Sequence, residues 1–271
     1  MSSHLPRRNL LLAALPDAQW KRLLQQLEWV QMPLDRVLHE SGIAMGYAYF
    51  PTTAAVSLMY ETEDASPIEL AVVGNEGIVG VELFLGGGST PSRAVVRSAG
   101  QALRLPARAI KAFDQAGPAM HLLLRYTQTL ISQMAQAAVC NRHHSLEQRL
   151  CRWLLTGLDR IRGDELVVIH ERIAGMLGVR REGVTASAFA LQRLGLISCT
   201  RGHIVAVDRQ GLEKRACECY LVINREYERL FSETLAMRGL GPARLCIAIK
   251  RPHRTAHPRR RLLPSPGRPR T

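Results

Sequence analysis

The stretch that most constrains the fold of this 271-residue chain covers residues 168–194, VIHERIAGMLGVRREGVTASAFALQRL. Apolar residues recur there at helical spacing in two separate segments. They are Ile173, Ala174 and Leu177 in the first segment, and Val184, Ala188 and Leu191 in the second. Gly178 lies between the segments and can supply the left-handed backbone that a sharp turn requires. The pattern therefore predicts two short helices packed around a tight turn.

The second of these helices begins with charged and polar residues on the face opposite its apolar stripe. These residues are Arg180, Arg181, Glu182, Thr185 and Ser187. An arginine can donate two hydrogen bonds to guanine, and a carboxylate can accept one from cytosine. A helix that opens with such groups and crosses another helix at a glycine turn is a helix-turn-helix candidate for DNA binding. An ordinary helical hairpin with solvated charges is the alternative.

A β-hairpin is predicted directly after this pair of helices. The apolar runs Leu196–Cys199 and Ile204–Val207 flank a turn that contains Gly202. A hairpin in this position is typical of a winged helix-turn-helix. Arg201 and His203 at its tip are candidates for contacts with DNA phosphate, and a plain turn with solvated basic residues is the alternative.

Between Glu28 and Pro106 the sequence changes to short β-type runs interrupted by Gly, Pro, Asn and Asp. The runs are Trp29–Met32, Arg36–His39, Ala48–Pro51, Ala55–Tyr60, Ile68–Val73, Ala94–Val96 and Ala102–Leu105. Runs at this spacing favour an antiparallel sandwich or barrel. The glycines within residues 74–89 would either admit a ligand close to the backbone or simply turn the chain. The segment is not a dinucleotide motif, because no strand–GxGxxG–helix order is present.

Helical patterns account for most of the remaining chain. They cover Asn9–Leu27 with a turn at Pro16, Pro106–Ala116, Gly117–Asn141, Leu146–Ile161 and Arg209–Leu230. The helix that begins at Gly117 carries a heptad seam, which indicates pairing with a second copy of the chain. The seam consists of Leu123, Thr127, Leu130, Met134 and Ala137. Burial of this helix against its own β domain is the alternative, and both can occur on different faces.

These patterns predict an α+β protein with an N-terminal antiparallel β-roll or jelly roll, a long dimerisation helix and a C-terminal winged helix-turn-helix. The expected divisions are an effector-type β domain over residues 1–116, a central helix and hinge over 117–144, the winged domain over 145–235 and a basic tail over 236–271.

The tail holds ten of the 36 basic residues and no acidic one, which leaves 26 basic against 23 acidic residues elsewhere. The net charge of +13 therefore says little about the folded part. We expect the Pro/Arg-rich tail to be disordered, and it either attracts polyphosphate or is inert.

The order of these parts resembles the Crp/Fnr family of bacterial transcription regulators over roughly residues 10–225. The most specific likeness is Ile173-Ala174-x-x-Leu177-Gly178-Val179-x-Arg181-Glu182-x-Val184, followed by Leu191 and Gly195-Leu196-Ile197. The resemblance implies a cytoplasmic homodimer that binds a near-palindromic operator, with RNA polymerase as a further partner. It also implies that Arg181 and Glu182 read base edges in the major groove. The family's second arginine falls on Ala186 here, so we expect a different target half-site.

The residues that bind cyclic nucleotides in this family are altered in the present chain. Family members hold the ribose with a Gly-Glu pair and the cyclic phosphate with an Arg-Ser pair. Here Glu82 lies one place late after Gly80, and the second pair is inverted to Ser92-Arg93. Because inversion sends the cation to the opposite face of a strand, we expect no cyclic AMP and leave the small-molecule effector open. The candidate effector-binding residues are Gly80, Glu82, Ser92, Arg93 and Thr127.

The cysteines and histidines predict no metal or cofactor. The six cysteines are Cys140, Cys151, Cys199, Cys217, Cys219 and Cys246. None forms a CxxC pair, no His/Cys group has zinc spacing, and Cys217 and Cys219 would face different ways in a helix. We therefore expect reduced structural thiols, with redox sensing as the alternative. No cysteine precedes Cys140, so the family's N-terminal iron–sulfur ligands are absent, and isolated histidines such as His39 and His121 do not indicate haem.

Other protein classes are disfavoured by what the sequence lacks. No run of about 18 apolar residues predicts a membrane span, and the N-terminal apolar run is too short for a typical signal peptide. No nucleophile elbow, phosphate loop or paired-carboxylate signature indicates an enzyme. The remaining alternative to a DNA-binding regulator is a small-molecule-binding module whose helix-turn-helix mediates protein contacts.

Overall fold

The computed structural model of the protein describes residues 8–62, 65–111, 117–161, 163–200 and 202–237. The first half of the chain forms the predicted β domain. Its elements are α1 (Leu10–Ala14), α2 (Asp17–Leu24), β1 (Glu28–Met32), β2 (Val37–His39), β3 (Tyr47–Pro51), β4 (Ala55–Thr62), β5 (Ala65–Val73), α3 (Glu82–Leu85), β6 (Ser92–Ser98), β7 (Gly100–Pro106) and α4 (Ala107–Lys111). All seven runs predicted as β-type coincide with parts of β1 to β7.

The seven strands form two antiparallel sheets. One has the strand order β1-β7-β3 and the other β2-β6-β4-β5. Apolar side chains from both sheets meet in one core with α1 and α2. Asn9 ties α1 to this core, because its side-chain amide caps the helix and donates to the carbonyls of Pro51 and Gly77.

The second half of the chain contains the long helix and the winged domain. Its elements are α5 (Pro118–His143), α6 (Leu146–Leu158), β8 (Glu165–Val167), α7 (His170–Leu177), α8 (Arg181–Arg193), β9 (Ile197–Thr200), β10 (His203–Ala206), α9 (Arg209–Arg215) and α10 (Cys219–Met237). A short break separates α5 from α6 where the sequence predicts a hinge. His144 ends α5 in extended conformation, and Ser145 starts α6 with a capping box shared with Gln148.

Two predictions for the winged domain need correction. The wing has three strands in the order β8-β10-β9, and the three-residue β8 lacks enough alternation to be recognised in sequence. The predicted closing helix over Arg209–Leu230 is two helices, α9 and α10. The chain is extended at Ala216, where α9 ends, so the direction changes before Cys219.

Helix α10 returns from the winged domain to the β domain. Ile223, Tyr227, Leu230 and Phe231 on α10 are buried in the same core as α1 and the start of α5. A second core lies inside the winged domain and extends onto the four-stranded sheet through Met59 and Val95. The two halves of the chain are therefore joined by apolar packing on both sides of the hinge.

Candidate nucleic-acid interface

The turn between α7 and α8 has the geometry that the sequence predicts. Gly178 adopts φ +63° and ψ +45°, the left-handed conformation that favours glycine. The backbone N–H of Val179 donates to the carbonyl of Ala174, which closes the end of α7. A Cβ atom at Gly178 would also lie 3.1 Å from the side chain of Ile68. Glycine is therefore required here both by backbone conformation and by the approach of β5.

The outer face of α8 is open to solvent. Arg180, Arg181, Glu182 and Thr185 are exposed, whereas Ser187 is half-buried. The Arg181 side chain is 65% exposed, and its Nε lies 3.8 Å from a carboxylate oxygen of Glu171. The apolar stripe of the same helix, Val184, Ala188 and Leu191, is buried as predicted. The geometry thus brings the predicted α8 residues together on one face, with Ser187 at its margin.

Two further residues at this face were missed by the sequence reasoning. His170 begins α7, and its Nδ1 lies 3.1 Å from the hydroxyl of Thr185 on α8. Burial lowers the pKa of His170, and the neighbouring charge of Arg181 lowers it further, so the imidazole is neutral near pH 7. Phe189 lies one turn after Thr185 and is 60% exposed. The sequence reasoning assigned Phe189 to neither face of the helix, and the fold reveals it as a surface residue.

The wing places one of its two predicted residues at the surface. His203 is exposed at the start of β10, where its Nδ1 lies 2.5 Å from a carboxylate oxygen of Glu165 on β8. This neighbour follows from the third strand that the sequence did not predict. Arg201 lies outside the described residues. Gly202 beside it has φ +85°, in agreement with the predicted tight turn.

Contacts of α7 hold the helix-turn-helix against the β domain. Gly178 at the end of α7 contacts Ile68 on β5, and Arg172 forms an ion pair with Asp35. Arg149 on α6 donates to the carbonyl of Leu177 and so supports the same turn from the other side. Because these contacts use the back of the pair, the face of α8 remains free for a ligand.

Ser92 and Arg93, the inverted pair, face opposite sides of β6, as strand geometry predicts. Ser92 is buried and its hydroxyl lies 3.2 Å from that of Thr90 and 3.5 Å from Nε2 of His39. Arg93 points the other way, where its guanidinium pairs with Glu40 at 2.9 Å and Glu61 at 3.5 Å. The cation is thus neutralised on the surface and does not face the interior with Ser92.

The other candidate effector residues do not form a single site with Arg93. Gly80 lies in a buried turn with φ +102°. Glu82 begins α3 and is near enough to His39 to oppose the lowering of the His39 pKa, which burial causes. Thr127 is buried on α5, and its hydroxyl donates to the carbonyl of Leu123 within the same helix.

The predicted dimer seam on α5 is not free to contact a second chain. Leu123, Thr127, Leu130 and Ala137 are buried within the protomer and Met134 is half-buried, because α10 and the β domain pack against this side of α5. This corrects the sequence-based assignment of the interface. A parallel apolar stripe one residue further along is exposed. It contains Leu124, Ile131, Ala135, Ala138 and Val139, of which Ile131 is 56% exposed.

Comparison with known proteins supports the assignment of this domain. Residues 148–215 match the model of the Crp-like helix-turn-helix domain. The structure of a crp/fnr-family regulator from Eubacterium rectale has a TM-score of 0.62 and 18% identity, covering 77% of this chain and 98% of its own. No curated protein shows significant sequence similarity to the chain.

Two further solved structures share the fold. A CRP-family transcriptional regulator from Thermus thermophilus has a TM-score of 0.60 and 22% identity, and covers 69% of this chain and 96% of its own. The c-di-GMP-responsive regulator CLP from Xanthomonas campestris has a TM-score of 0.56 and 18% identity, with coverage of 70% and 99%.

The chain carries a Crp-like helix-turn-helix domain. Its fold is that of Crp/Fnr transcription regulators, which confirms the predicted fold class and the family resemblance. Among the described helices, none is both long and apolar enough to cross a membrane.

Two buried ion pairs lie where the Crp-like domain meets the β domain. The guanidinium of Arg97 on β6 lies 3.2 Å from a carboxylate oxygen of Glu69, stacks 3.7 Å from the ring centre of Trp153 and donates to the carbonyl of that tryptophan. Burial lowers the pKa of Arg97 to about 10 even though Glu69 opposes the change. The Arg160 Nε lies 2.8 Å from Glu76 on the opposite domain.

The glycine-rich segment of the β domain serves these domain contacts. The carboxylate of Glu76 accepts from the N–H of Gly74 as well as from Arg160 on α6's C-terminal side. A Cβ at Gly77 would lie 2.2 Å from the hydroxyl oxygen of Tyr126 on α5. Of the two open interpretations, the turn with close internal packing is therefore the one that these residues support.

Proposed function

We propose that the protein is a homodimeric, sequence-specific DNA-binding regulator of transcription. The observation that carries this proposal is the exposure of Arg180, Arg181 and Glu182 at the start of α8 within a Crp-like domain. The helix is rigidly supported from behind by its buried stripe and by α7. Its outward face is therefore free to enter a major groove.

Each residue on this face has a role that its chemistry supports. Arg181 would donate to guanine and Glu182 would accept from cytosine, whereas Arg180 at the helix N-terminus would contact phosphate. The methyl group of thymine suits the exposed ring of Phe189. We assign phosphate contacts to Arg201 and His203 in the wing, and further base or phosphate contacts to Thr185 and Ser187.

The second copy would pair through the exposed stripe of α5 that begins at Leu124. This stripe repeats at heptad spacing and its apolar residues are not covered within the protomer. Two copies related by a two-fold axis would present two α8 helices about 34 Å apart, which suits a near-palindromic operator.

Regulation by an effector would act on the contacts between α7 and β5. A ligand can shift DNA binding only if it favours one arrangement of the two domains over the other. The pairing of Arg93 with Glu40 and Glu61 disfavours a cyclic phosphate in the β domain. We therefore propose an effector other than cyclic AMP, with RNA polymerase as a further partner and the cytoplasm as the location. We also propose that the chain divides into a β domain over residues 1–116, a central helix and hinge over 117–144, a winged domain over 145–235 and a basic tail over 236–271.

The direct test is to select DNA fragments with the purified protein and then to measure the affinity of the Arg181→Ala variant for the selected duplex. Removal of a forked contact with guanine should cost about 1–3 kcal/mol of binding free energy and relax one base position. Arg22→Ala, which removes an exposed arginine of α2 on the other domain, is the charge-matched control and should bind normally. Fluorescence anisotropy at fixed salt provides the measurement.

The same experiment separates this function from that of a small-molecule-binding module. A module that uses the helix-turn-helix for protein contacts would bind selected and scrambled duplexes equally. Equal affinity in the wild-type protein, or equal losses in Arg181→Ala and Arg22→Ala, would contradict the proposal.

A further inference from the structure

A cluster of three cysteines and one histidine lies at the hinge of the molecule. The side chains of Cys140, His144, Cys217 and Cys219 place one ligand atom each within 4.8 Å of all the others. Within the cluster, Cys140 Sγ lies 3.5 Å from Cys217 Sγ, and Cys219 Sγ lies 3.4 Å from His144 Nδ1. The expectation that Cys217 and Cys219 face different ways is therefore wrong.

The fold brings the four residues together from positions almost 80 apart in the chain. Cys140 and His144 are one helical turn apart at the C-terminal end of α5. Cys217 lies in the connection between α9 and α10, and Cys219 is the first residue of α10. The sequence-based reasoning placed both cysteines in one helix, where they would diverge. The break before α10 lets them converge.

The distances within the cluster suit a single tetrahedral metal ion. Zinc–sulfur bonds of about 2.3 Å and zinc–nitrogen bonds of about 2.0 Å place neighbouring ligand atoms of a tetrahedron about 3.5–3.8 Å apart. The pairs Cys140–Cys217 and Cys219–His144 already lie at or just inside this separation. The three cysteines are buried and unbonded to one another, so their thiols are available as ligands.

The surroundings of the cluster are those of a metal site. Nε2 of His144, which faces away from the sulfurs, lies 3.1 Å from a carboxylate oxygen of Glu218. This carboxylate–histidine arrangement orients metal-binding imidazoles in known sites. Gln136 donates its side-chain N–H to Cys219 Sγ at 3.1 Å, as expected for a hydrogen bond to a thiolate.

The charges around the cluster also favour a metal–thiolate centre. One divalent ion with three thiolates and a neutral imidazole has a net charge of −1. The guanidinium groups of Arg149 and Arg152 interact electrostatically with Cys140, and the Nε atoms of both arginines are buried without a hydrogen-bond partner. Two nearby cations therefore offset the negative charge that three thiolates bring to a buried site.

We propose that Cys140, His144, Cys217 and Cys219 bind one zinc ion. Three thiolates and one imidazole form a closed four-coordinate set of the kind found in structural zinc sites. A cluster of several iron atoms would need its ligands spread further apart than 4.8 Å. The ion would fasten the end of α5 to the start of α10, next to the hinge at Ser145, and so fix where the Crp-like domain departs from the central helix.

The metal content of the full-length protein tests this site. Protein purified without chelator from zinc-supplemented cells should contain about one zinc ion per chain, measured by plasma mass spectrometry. Cys140→Ser, Cys217→Ser and Cys219→Ser should each lose most of the bound zinc. Cys199→Ser, which removes a thiol in the wing, is the matched control and should keep it.

Two further measurements separate ligation from a general loss of folding. His144→Cys preserves a zinc ligand at the same helical position and should retain the metal, whereas His144→Ala should not. Glu218→Gln removes only the group that orients His144, and should lower zinc affinity by about 10–100-fold without changing the circular dichroism spectrum. Cobalt added to the metal-free chain should produce a thiolate-to-metal absorption band that Cys217→Ser lacks.

Several results would overturn the zinc site. One is a folded wild-type chain that neither contains zinc nor takes up cobalt, and another is a chain that contains iron and sulfide in place of zinc. A Cys140–Cys217 disulfide that persists in the presence of a reductant would also exclude the site. So would equal zinc loss in Cys199→Ser and Cys140→Ser. None of these results depends on DNA binding, so the site and the proposed regulatory function are tested separately.

Discussion

At the scale of single residues, the buried guanidinium of Arg97 contributes to both domains. It pairs with Glu69, stacks on Trp153 and donates to a backbone carbonyl of the winged domain. Taking a charge out of water is costly unless its partners replace the lost hydration. Removal of one partner therefore costs more than the pair itself contributes, because the other charge stays buried.

The Arg97→Met variant should lower the free energy of unfolding by about 3–5 kcal/mol, because Glu69 would remain as an uncompensated buried charge. Urea unfolding followed by circular dichroism measures the loss. Arg104→Met is the matched control, since the ion pair of Arg104 with Glu28 is partly exposed and should contribute at most about 1 kcal/mol. Similar losses in the two variants would contradict this account of Arg97.

His39 makes folding stability depend on pH. Burial lowers its pKa below the ordinary value of about 6.5, although Glu82 and Glu40 oppose the effect. The unfolded chain therefore binds the proton more readily, and this contribution to stability is present above pH 6.5 and is lost as the pH falls below it. Unfolding measured between pH 8 and pH 5 should show a smaller decline in His39→Gln than in the wild type. An equal decline would contradict the assignment.

At the scale of elements, the helix-turn-helix depends on the glycine at position 178 but not on the glycine at position 175. Gly178 has a positive φ and faces Ile68, whereas a Cβ at Gly175 in α7 would meet nothing within 4 Å. The turn needs the first, and a helix only tolerates the second.

Gly178→Ala should destabilise the protein by at least about 1–2 kcal/mol, because an L-residue is strained in left-handed backbone and its Cβ would press on β5. Gly175→Ala should instead stabilise α7 by up to about 1 kcal/mol through helix propensity. Thermal unfolding of the two variants in parallel provides the measurement. A stabilised Gly178→Ala variant would show that the turn adopts another conformation.

At the scale of the whole molecule, α10 takes the side of α5 that the sequence assigned to a second copy. Tyr227 on α10 donates its hydroxyl to Gln133 on α5, and Leu230 completes the apolar core beneath it. The apolar stripe left exposed on α5, with Leu124 and Ile131, is the remaining surface for pairing. On α5, buried residues such as Leu130 should therefore determine the stability of the protomer, and exposed neighbours such as Ile131 should determine dimer formation.

Ile131→Asp should convert the proposed dimer into a folded monomer, because the charge would lie at the centre of the exposed stripe. Leu130→Ala should keep the dimer but lower the free energy of unfolding by about 2–5 kcal/mol, since Leu130 is buried within the protomer. Sedimentation and urea unfolding of both variants give the two readouts. A dimeric Ile131→Asp variant would place the interface elsewhere.

Local sequence patterns were sufficient for the secondary structure of most of this protein. The run of β-type residues in β4 and the helical spacing around Leu177 and Leu191 predict their elements, because residue type and the burial of one helix face are local properties. The open face that begins at Arg180 follows from the same periodicity. Where an element is short, as in β8, too few residues repeat for the pattern to be detected.

The inverted Ser92-Arg93 pair shows how far strand geometry extends this reasoning. Successive residues of a strand face opposite sides, so the sequence predicts that the Arg93 cation lies on the strand face opposite Ser92, and it does. It does not predict the partners Glu40 and Glu61, which lie on other segments.

The sequence by itself determined the helices, the strands and the turn at Gly178, because hydrophobic periodicity and backbone conformation depend only on a few neighbouring residues. The tertiary structure alone decided which face of α5 is covered, how Arg97 meets Trp153, and how Cys140 reaches Cys217. Each of these contacts joins residues more than 50 positions apart. Such contacts depend on the packing of whole elements against one another, which local spacing does not encode.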